Sequence, residues 1–190
     1  MLSTTSIWLP LEVAFAAEVS GYVMSDMFAK IGPLEADGYV FFRLEKKDSA
    51  EVAALEKKCF STPWTEKEFS LSFEQKIFEV FGLKKDGALV AYIAMYHTPD
   101  ELEILNIATD PNFRRNGAGK RLLALMLCIG QKLGIQQAFL EVRRTNIPAI
   151  NLYEQMCFSQ IGVRKKYYKD TGEDALIYQC NLAEFTECPC

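Results

Sequence analysis

Apolar residues recur along this chain with two different periods, and the changes of period mark its elements. Tyr39-Val-Phe-Phe-Arg43 is a short β-branched and aromatic run, the pattern of a strand. The spacing then lengthens. Val52, Leu55 and Phe60 share one side of a helix that Asp48 can cap and that runs to about Cys59. Pro63-Trp64 interrupts it, and Thr65-Glu-Lys-Glu68 has the capping-box form of a second, short helix. Phe78–Leu83 and Leu89–Tyr96 predict strands around a Lys85-Asp86-Gly87 turn, and Glu101–Thr109 predicts another. Gly117–Leu133 predicts a strongly apolar helix closed by Gly134. Ala138–Arg143 reads as a strand. Asn146–Met156 reads as a helix that tolerates Pro148 in its first turn. Phe158–Arg164 and Ala175–Asn181 complete the set. The order β-α-α-β-β-β-α-β-α-β-β predicts a mixed α/β sheet flanked by helices.

Residues 1–38 precede this pattern and read as an N-terminal extension, with a helical spacing between Leu9 and Phe28 that ends near Gly32-Pro33. Residues 39–182 form the expected domain and 183–190 a tail. The extension carries five acids and one base, whereas the whole chain holds 21 Lys+Arg against 25 Asp+Glu. Residues 39–190 are therefore neutral, which argues against a broad electrostatic grip on nucleic acid. No apolar run approaches the roughly 18 residues of a membrane span, and the N-terminus lacks the basic region of a secretory signal. A reducing cytoplasm is the expected compartment. The six cysteines make no paired C-x-x-C zinc pattern, so no metal is expected. Cys128 and Cys157 read as small core hydrophobes.

The strongest chemical signal is Arg114-Arg115-Asn116-Gly117-Ala118-Gly119-Lys120, between a strand and the long helix. Two glycines let the backbone curl, and free N–H groups at a helix start attract a phosphate. A Walker loop would need Ser or Thr after Gly119-Lys120, where Arg121 stands. A dinucleotide fingerprint would need a third glycine, where Leu122 stands. The plainer alternative is a glycine turn that merely opens a core helix.

Further blocks flank this turn: Asn106-Ile-Ala-Thr-Asp-Pro111, Leu140-Glu-Val-Arg-Arg-Thr-Asn146, Ala149-Ile-Asn-Leu-Tyr-Glu154, Arg164-Lys-Lys-Tyr-Tyr168 and Phe60-x-x-Pro63-Trp64. Together they resemble the ribosomal-protein alanine N-acetyltransferases of the GNAT superfamily, over about residues 39–182. The resemblance implies a mixed, mostly antiparallel sheet that splays open between its fourth and fifth strands, here Glu101–Thr109 and Ala138–Arg143. It implies acetyl-CoA as cosubstrate. Ile107, Ala108 and Thr109 would face the pantetheine and thioester. Arg115, Asn116, Gly117, Ala118, Gly119 and Lys120 would hold the pyrophosphate, and Asn146 would touch the cofactor arm. The partner implied is a protein N-terminal peptide, as of a ribosomal protein, acetylated by direct transfer.

Such a transfer needs a neutral amine, a donor for the developing oxyanion and a proton for the leaving thiolate. Freeing an α-amine of pKa near 8 at pH 7 costs roughly 1–1.5 kcal/mol, against about 4.6 for lysine. One carboxylate can supply that. The resemblance makes Glu141 the base and Tyr153 the general acid. Glu141 shares a strand face with Phe139 and Arg143, so a surface Glu141–Arg143 pair is its structural alternative. A core aromatic is the alternative for Tyr153. Glu103 is a rival base. His97, the only histidine, precedes Thr98-Pro99 in an expected turn and is a poor candidate. Arg164, Lys165, Lys166 and Lys169 make a basic patch around Tyr167 and Tyr168; with Trp64 opposite, the resemblance makes it a wall of the peptide groove. A small-molecule or lysine acetyltransferase, or a non-catalytic acyl-CoA sensor, are the competing functions.

Overall fold

The computed structural model describes residues 32–186. The expected helix between Leu9 and Phe28 and the Cys188-Pro-Cys190 tail lie outside the described residues. Eight strands form one sheet in the order β1-β2-β3-β4-β5-β6-β8-β7. They are β1 Leu34–Ala36, β2 Tyr39–Leu44, β3 Phe78–Lys85, β4 Ala88–His97, β5 Glu101–Thr109, β6 Gln137–Arg143, β7 Ser159–Tyr168 and β8 Glu173–Asn181. The helices are α1 Ser49–Cys59, α2 Glu66–Ser72, α3 Ala118–Lys132 and α4 Ile147–Gln155. Every strand pair is antiparallel except β5–β6.

The first strand was not foreseen. Leu34–Ala36 pairs with Tyr39–Phe41 across an Asp37-Gly38 turn, so the sheet begins inside the residues read as an extension. Both turn residues have positive φ, 52° and 75°, as a two-residue hairpin of matching twist demands. The splayed pair therefore comprises the fifth and sixth strands.

The helices cover the sheet on two sides. On one, α3 packs against β3, β4 and β5. Leu122, Leu123, Met126, Leu127 and Ile129 are fully buried there. Five such side chains contribute on the order of 10 kcal/mol, so the N-terminus of α3 is a fixed platform. On the other side, α1 packs on β4 and β5, and its apolar residues join Phe69, Phe78 and Tyr92 in a second core. β4 lies between the two cores, which is why nearly every one of its residues is buried. The α2 capping box forms as expected: the Glu68 amide donates to Thr65 Oγ1 at 3.2 Å, and the Thr65 amide donates to Glu68 Oε2 at 2.7 Å.

The cysteine expectation is half right. Cys128 is buried, but Cys157 is exposed and holds a left-handed φ of 65° in the turn after α4. The helix has ended there, so the apolar neighbours of Cys157 in sequence are not its neighbours in space. Cys180 fills a core position instead. Among the described residues no helix is long and apolar enough to cross a membrane.

Candidate active site

Two strands part at the centre of the sheet. β5 and β6 pair from Glu101↔Gln137 only as far as Ile104↔Leu140. Beyond that β5 keeps company with β4 to Thr109, and β6 with β8 to Arg143. A bulge helps to part them: Ala94 faces Asn106 and Met95 faces Ile104, so Leu105 is an extra residue on β5. A bulge bends its strand and sharpens its twist. The β6-facing backbone of Leu105–Thr109 is thus left without a strand partner, where the expected Ile107, Ala108 and Thr109 stand.

The glycine turn closes one end of this split. Arg115 and Gly117 both have positive φ, at 63° and 77°, and Gly117 caps α3 without a side chain. Arg121 N is bonded to Gly117 O, which leaves the amides of Ala118, Gly119 and Lys120 ahead of the helical ladder. Arg115, Asn116 and Gly117 are exposed. Arg121 is turned away to Asp37 and the Tyr39 ring, so the cations at the turn are Arg114, Arg115 and Lys120. Arg114 Nε donates to Thr109 O at 3.2 Å and ties the turn to the end of β5. A Cβ on Gly119 would lie 3.1 Å from Thr109 Oγ1. Any side chain here would crowd Thr109, and the turn as it stands suits a diphosphate seated on amides. Gly119→Val is expected to raise the CoA dissociation constant at least about tenfold, or 1.4 kcal/mol, as read by calorimetry.

Of the candidate catalytic residues, Glu141 stands at the same split. Glu141 is the first residue of β6 past its last pairing with β5. Its side chain is 21% exposed, and Arg164 Nη1 on β7 lies 2.9 Å from its Oε1. The Tyr167 hydroxyl bonds to the same carboxylate. The Glu141–Arg143 pair does not form. Arg143 instead reaches Asp170 at 2.8 Å and stacks over the Tyr168 ring at 3.9 Å. Tyr153 is buried on α4, 6.0 Å from the Phe158 ring. Burial, reinforced by Tyr168, holds its phenol protonated far above the ordinary tyrosine range. The Tyr168 hydroxyl is pushed up to about 12, first by burial, then by the Glu141 charge against the opposing pull of Arg143. Glu141, Tyr168 and Tyr153 thus share one electrostatic neighbourhood.

Other candidates are placed differently. Glu103 is exposed and stands opposite Phe139, where β5 and β6 are still paired. His97 is buried at the end of β4, and desolvation lowers its pKa, which keeps the ring neutral. Asn146 caps α4, its Oδ1 accepting from the Ala149 amide at 3.3 Å. In the basic patch, Lys165 lies 3.0 Å from Asp174 of its own hairpin, whereas Arg164 pairs with Glu141 on β6.

One residue escaped the sequence reading. Glu56 on α1 is 1% exposed, yet it lies among apolar residues. It accepts hydrogen bonds from the Tyr92 hydroxyl, from Asn106 Nδ2 at 3.0 Å and from the Trp64 amide at 3.3 Å. Burial raises its pKa, and the Tyr92 and Trp64 bonds oppose the rise. Its signal was there: Glu56 stands four residues after Val52, on the buried face of the helix.

Comparison with known proteins agrees with this architecture. The acetyltransferase (GNAT) family profile matches residues 49–158. The [ribosomal protein bS18]-alanine N-acetyltransferase of Escherichia coli K12 is 34% identical over 136 residues, covering 70% of this chain and 91% of that one. A putative enzyme of the same description from Bacillus subtilis is 34% identical over 143 residues, covering 75% of this chain and 93% of its own. The crystal structure of the E. coli ribosomal-protein-S18-alanine N-acetyltransferase superposes with a TM-score of 0.72 at 30% identity, covering 80% of this chain and 99% of that chain. Since the match takes in more than half of its residues and nearly the full length of those relatives, the chain belongs to the GNAT family of acetyltransferases.

Proposed function

We propose that the chain transfers an acetyl group from acetyl-CoA directly to the N-terminal α-amine of a protein, a ribosomal protein with N-terminal alanine being the substrate. The observation that carries this is the split between β5 and β6, with the glycine turn at one end and Glu141 at its first unpaired position. The relatives' names supply the substrate class. Such a substrate places the reaction in the cytoplasm.

Acetyl-CoA supplies an activated thioester; the chain's residues do the rest. Arg115, Asn116, Gly117, Ala118, Gly119 and Lys120 hold the pyrophosphate, and Asn146 meets the cofactor arm with the part of its amide not used as a cap. The backbone of Ile107, Ala108 and Thr109 aligns the pantetheine and offers donors toward the carbonyl oxygen. Glu141 takes the proton from the incoming ammonium, directly or through water. Tyr153, held protonated by burial, gives a proton to the departing sulfur and is restored by the second proton that the nitrogen sheds as the amide forms. Tyr167 and Tyr168 on one side, and the loop at Trp64 on the other, wall the groove for an extended peptide end.

Substrate choice follows from the amine. One largely buried carboxylate suffices for an α-amine but is set against about 4.6 kcal/mol for lysine at pH 7. Purified protein given acetyl-CoA and an alanine-led ribosomal-protein peptide is expected to release free CoA thiol. A lysine-bearing peptide with a blocked N-terminus should turn over at least about 100-fold more slowly, consistent with a gap of about 3 kcal/mol. Equal turnover on the blocked peptide would assign the chain to lysine acetylation. Cofactor binding without turnover on any amine would make it a sensor.

A further inference from the structure

The buried carboxylate of Glu56 has no part in the chemistry above, yet it joins the elements that the chemistry must align. Its three donors come from three places. Tyr92 is on β4, the strand between the two cores. Asn106 is on β5, where the bulge sets in and the pairing with β6 has just ended. Trp64 is on the loop between α1 and α2. The Trp64 ring is held from the other side by Phe69 at 5.3 Å and Phe78 at 6.3 Å, so ring and backbone are both fixed. Asn106 leads directly into Ile107, Ala108 and Thr109.

A carboxylate this deeply buried is a costly way to satisfy a core, because an apolar side chain of similar volume would fill the space without desolvating a charge. What an apolar side chain cannot do is accept from three donors on three separate elements at once. We infer that Glu56 is a positioning residue, whose carboxylate holds the Trp64 loop in register with β5 at the split and so sets where the acceptor peptide lies against the thioester. The inference rests on the acceptor-groove reading of the Trp64 loop. It assigns Glu56 no contact with either substrate.

Glu56→Gln separates this role from core filling. Glutamine keeps the shape and one acceptor oxygen, but its amide group can only donate to the Tyr92 hydroxyl oxygen, so the Tyr92 proton loses its buried acceptor, and the charge that draws the Asn106 and Trp64 donors is gone. The variant is expected to raise the peptide KM about tenfold while the CoA dissociation constant stays within about twofold of wild type, a split that general loosening of the fold would not give. Asn106→Ala, which removes one donor from a partly buried position, should give the same split with smaller amplitude. In the double variant the two effects should be less than additive, because both act through one carboxylate. A parallel loss of CoA affinity, an unchanged peptide KM or full additivity would overturn the inference. A second readout needs no turnover. With Trp8 replaced by Phe, Trp64 is the only indole. Glu56→Gln should make it more accessible to acrylamide quenching while CoA still binds. Silent wild-type protein with that quenching change would contradict the acetyltransfer reading and uphold the tie; active protein without it would do the reverse.

Discussion

Glu141→Gln is expected to lower kcat for peptide acetylation by about 10²–10⁴-fold, the range for loss of a general base. The substitution removes the proton acceptor and, with it, the charge that faces Arg164 and Tyr167, a pair on the solvent side of β7 that contributes little to stability. Glutamine is isosteric, and the position lies at the edge of the split, away from both cores. The CoA dissociation constant and the melting temperature should therefore stay near wild type. The deficit should also depend on pH. An α-amine has a pKa near 8, so above about pH 9 most of it is already neutral and needs no base. Steady-state thiol release from pH 6.5 to 9.5 should show the ratio of wild type to variant narrowing as pH rises. A constant ratio would mean that Glu141 places the peptide rather than deprotonates it. A ratio near one throughout would shift the role to Glu103.

Tyr153→Phe is expected to lower kcat by about 10²-fold or more. Its hydroxyl is buried beside Phe158 and remains protonated through the whole working range, with desolvation as the leading cause. The direction of that shift fixes the pH behaviour. A phenol whose pKa is raised cannot produce a falling alkaline limb below about pH 10, so the wild-type rate should climb through the amine's pKa and level off. Phenylalanine keeps the packing and deletes only the donor. The loss should thus appear in kcat, with peptide and CoA affinities unchanged. A decline of the wild-type rate between pH 8 and 9.5, or a Phe variant of full activity, would remove Tyr153 from the role of acid.

The parts of this molecule that were legible in its sequence are those specified by neighbours in sequence. The α2 capping box, the Gly117 and Gly119 turn, Pro148 in the first turn of α4 and the Asp86-Gly87 hairpin each depend on residues within a few positions of one another. Asp37-Gly38 carries the same hairpin signal as Asp86-Gly87 but was passed over, because the strand before it is only three residues long. What depends on distant pairing was hidden. Arg164 reaches Glu141 across the sheet from β7, through a register that shifts between Arg164 and Tyr168. No spacing along the chain announces it, and the nearer Arg143 is drawn off to Asp170. The bulge at Leu105 is likewise a mismatch between two strands, and neither strand shows it alone. Glu56 was visible as a charge on an apolar helix face, but its partners, 36 and 50 residues on, were not.

The seat of coenzyme A is tested by a crystal structure of the protein with the cofactor bound. The diphosphate oxygens are expected at about 3 Å from the amides of Gly117–Lys120. The pantetheine should lie between β5 and β6 beyond the Ile104↔Leu140 pair, with its sulfur near the Tyr153 hydroxyl. Coenzyme A bound elsewhere, or β5 and β6 drawn together along Leu105–Thr109, would contradict that seat.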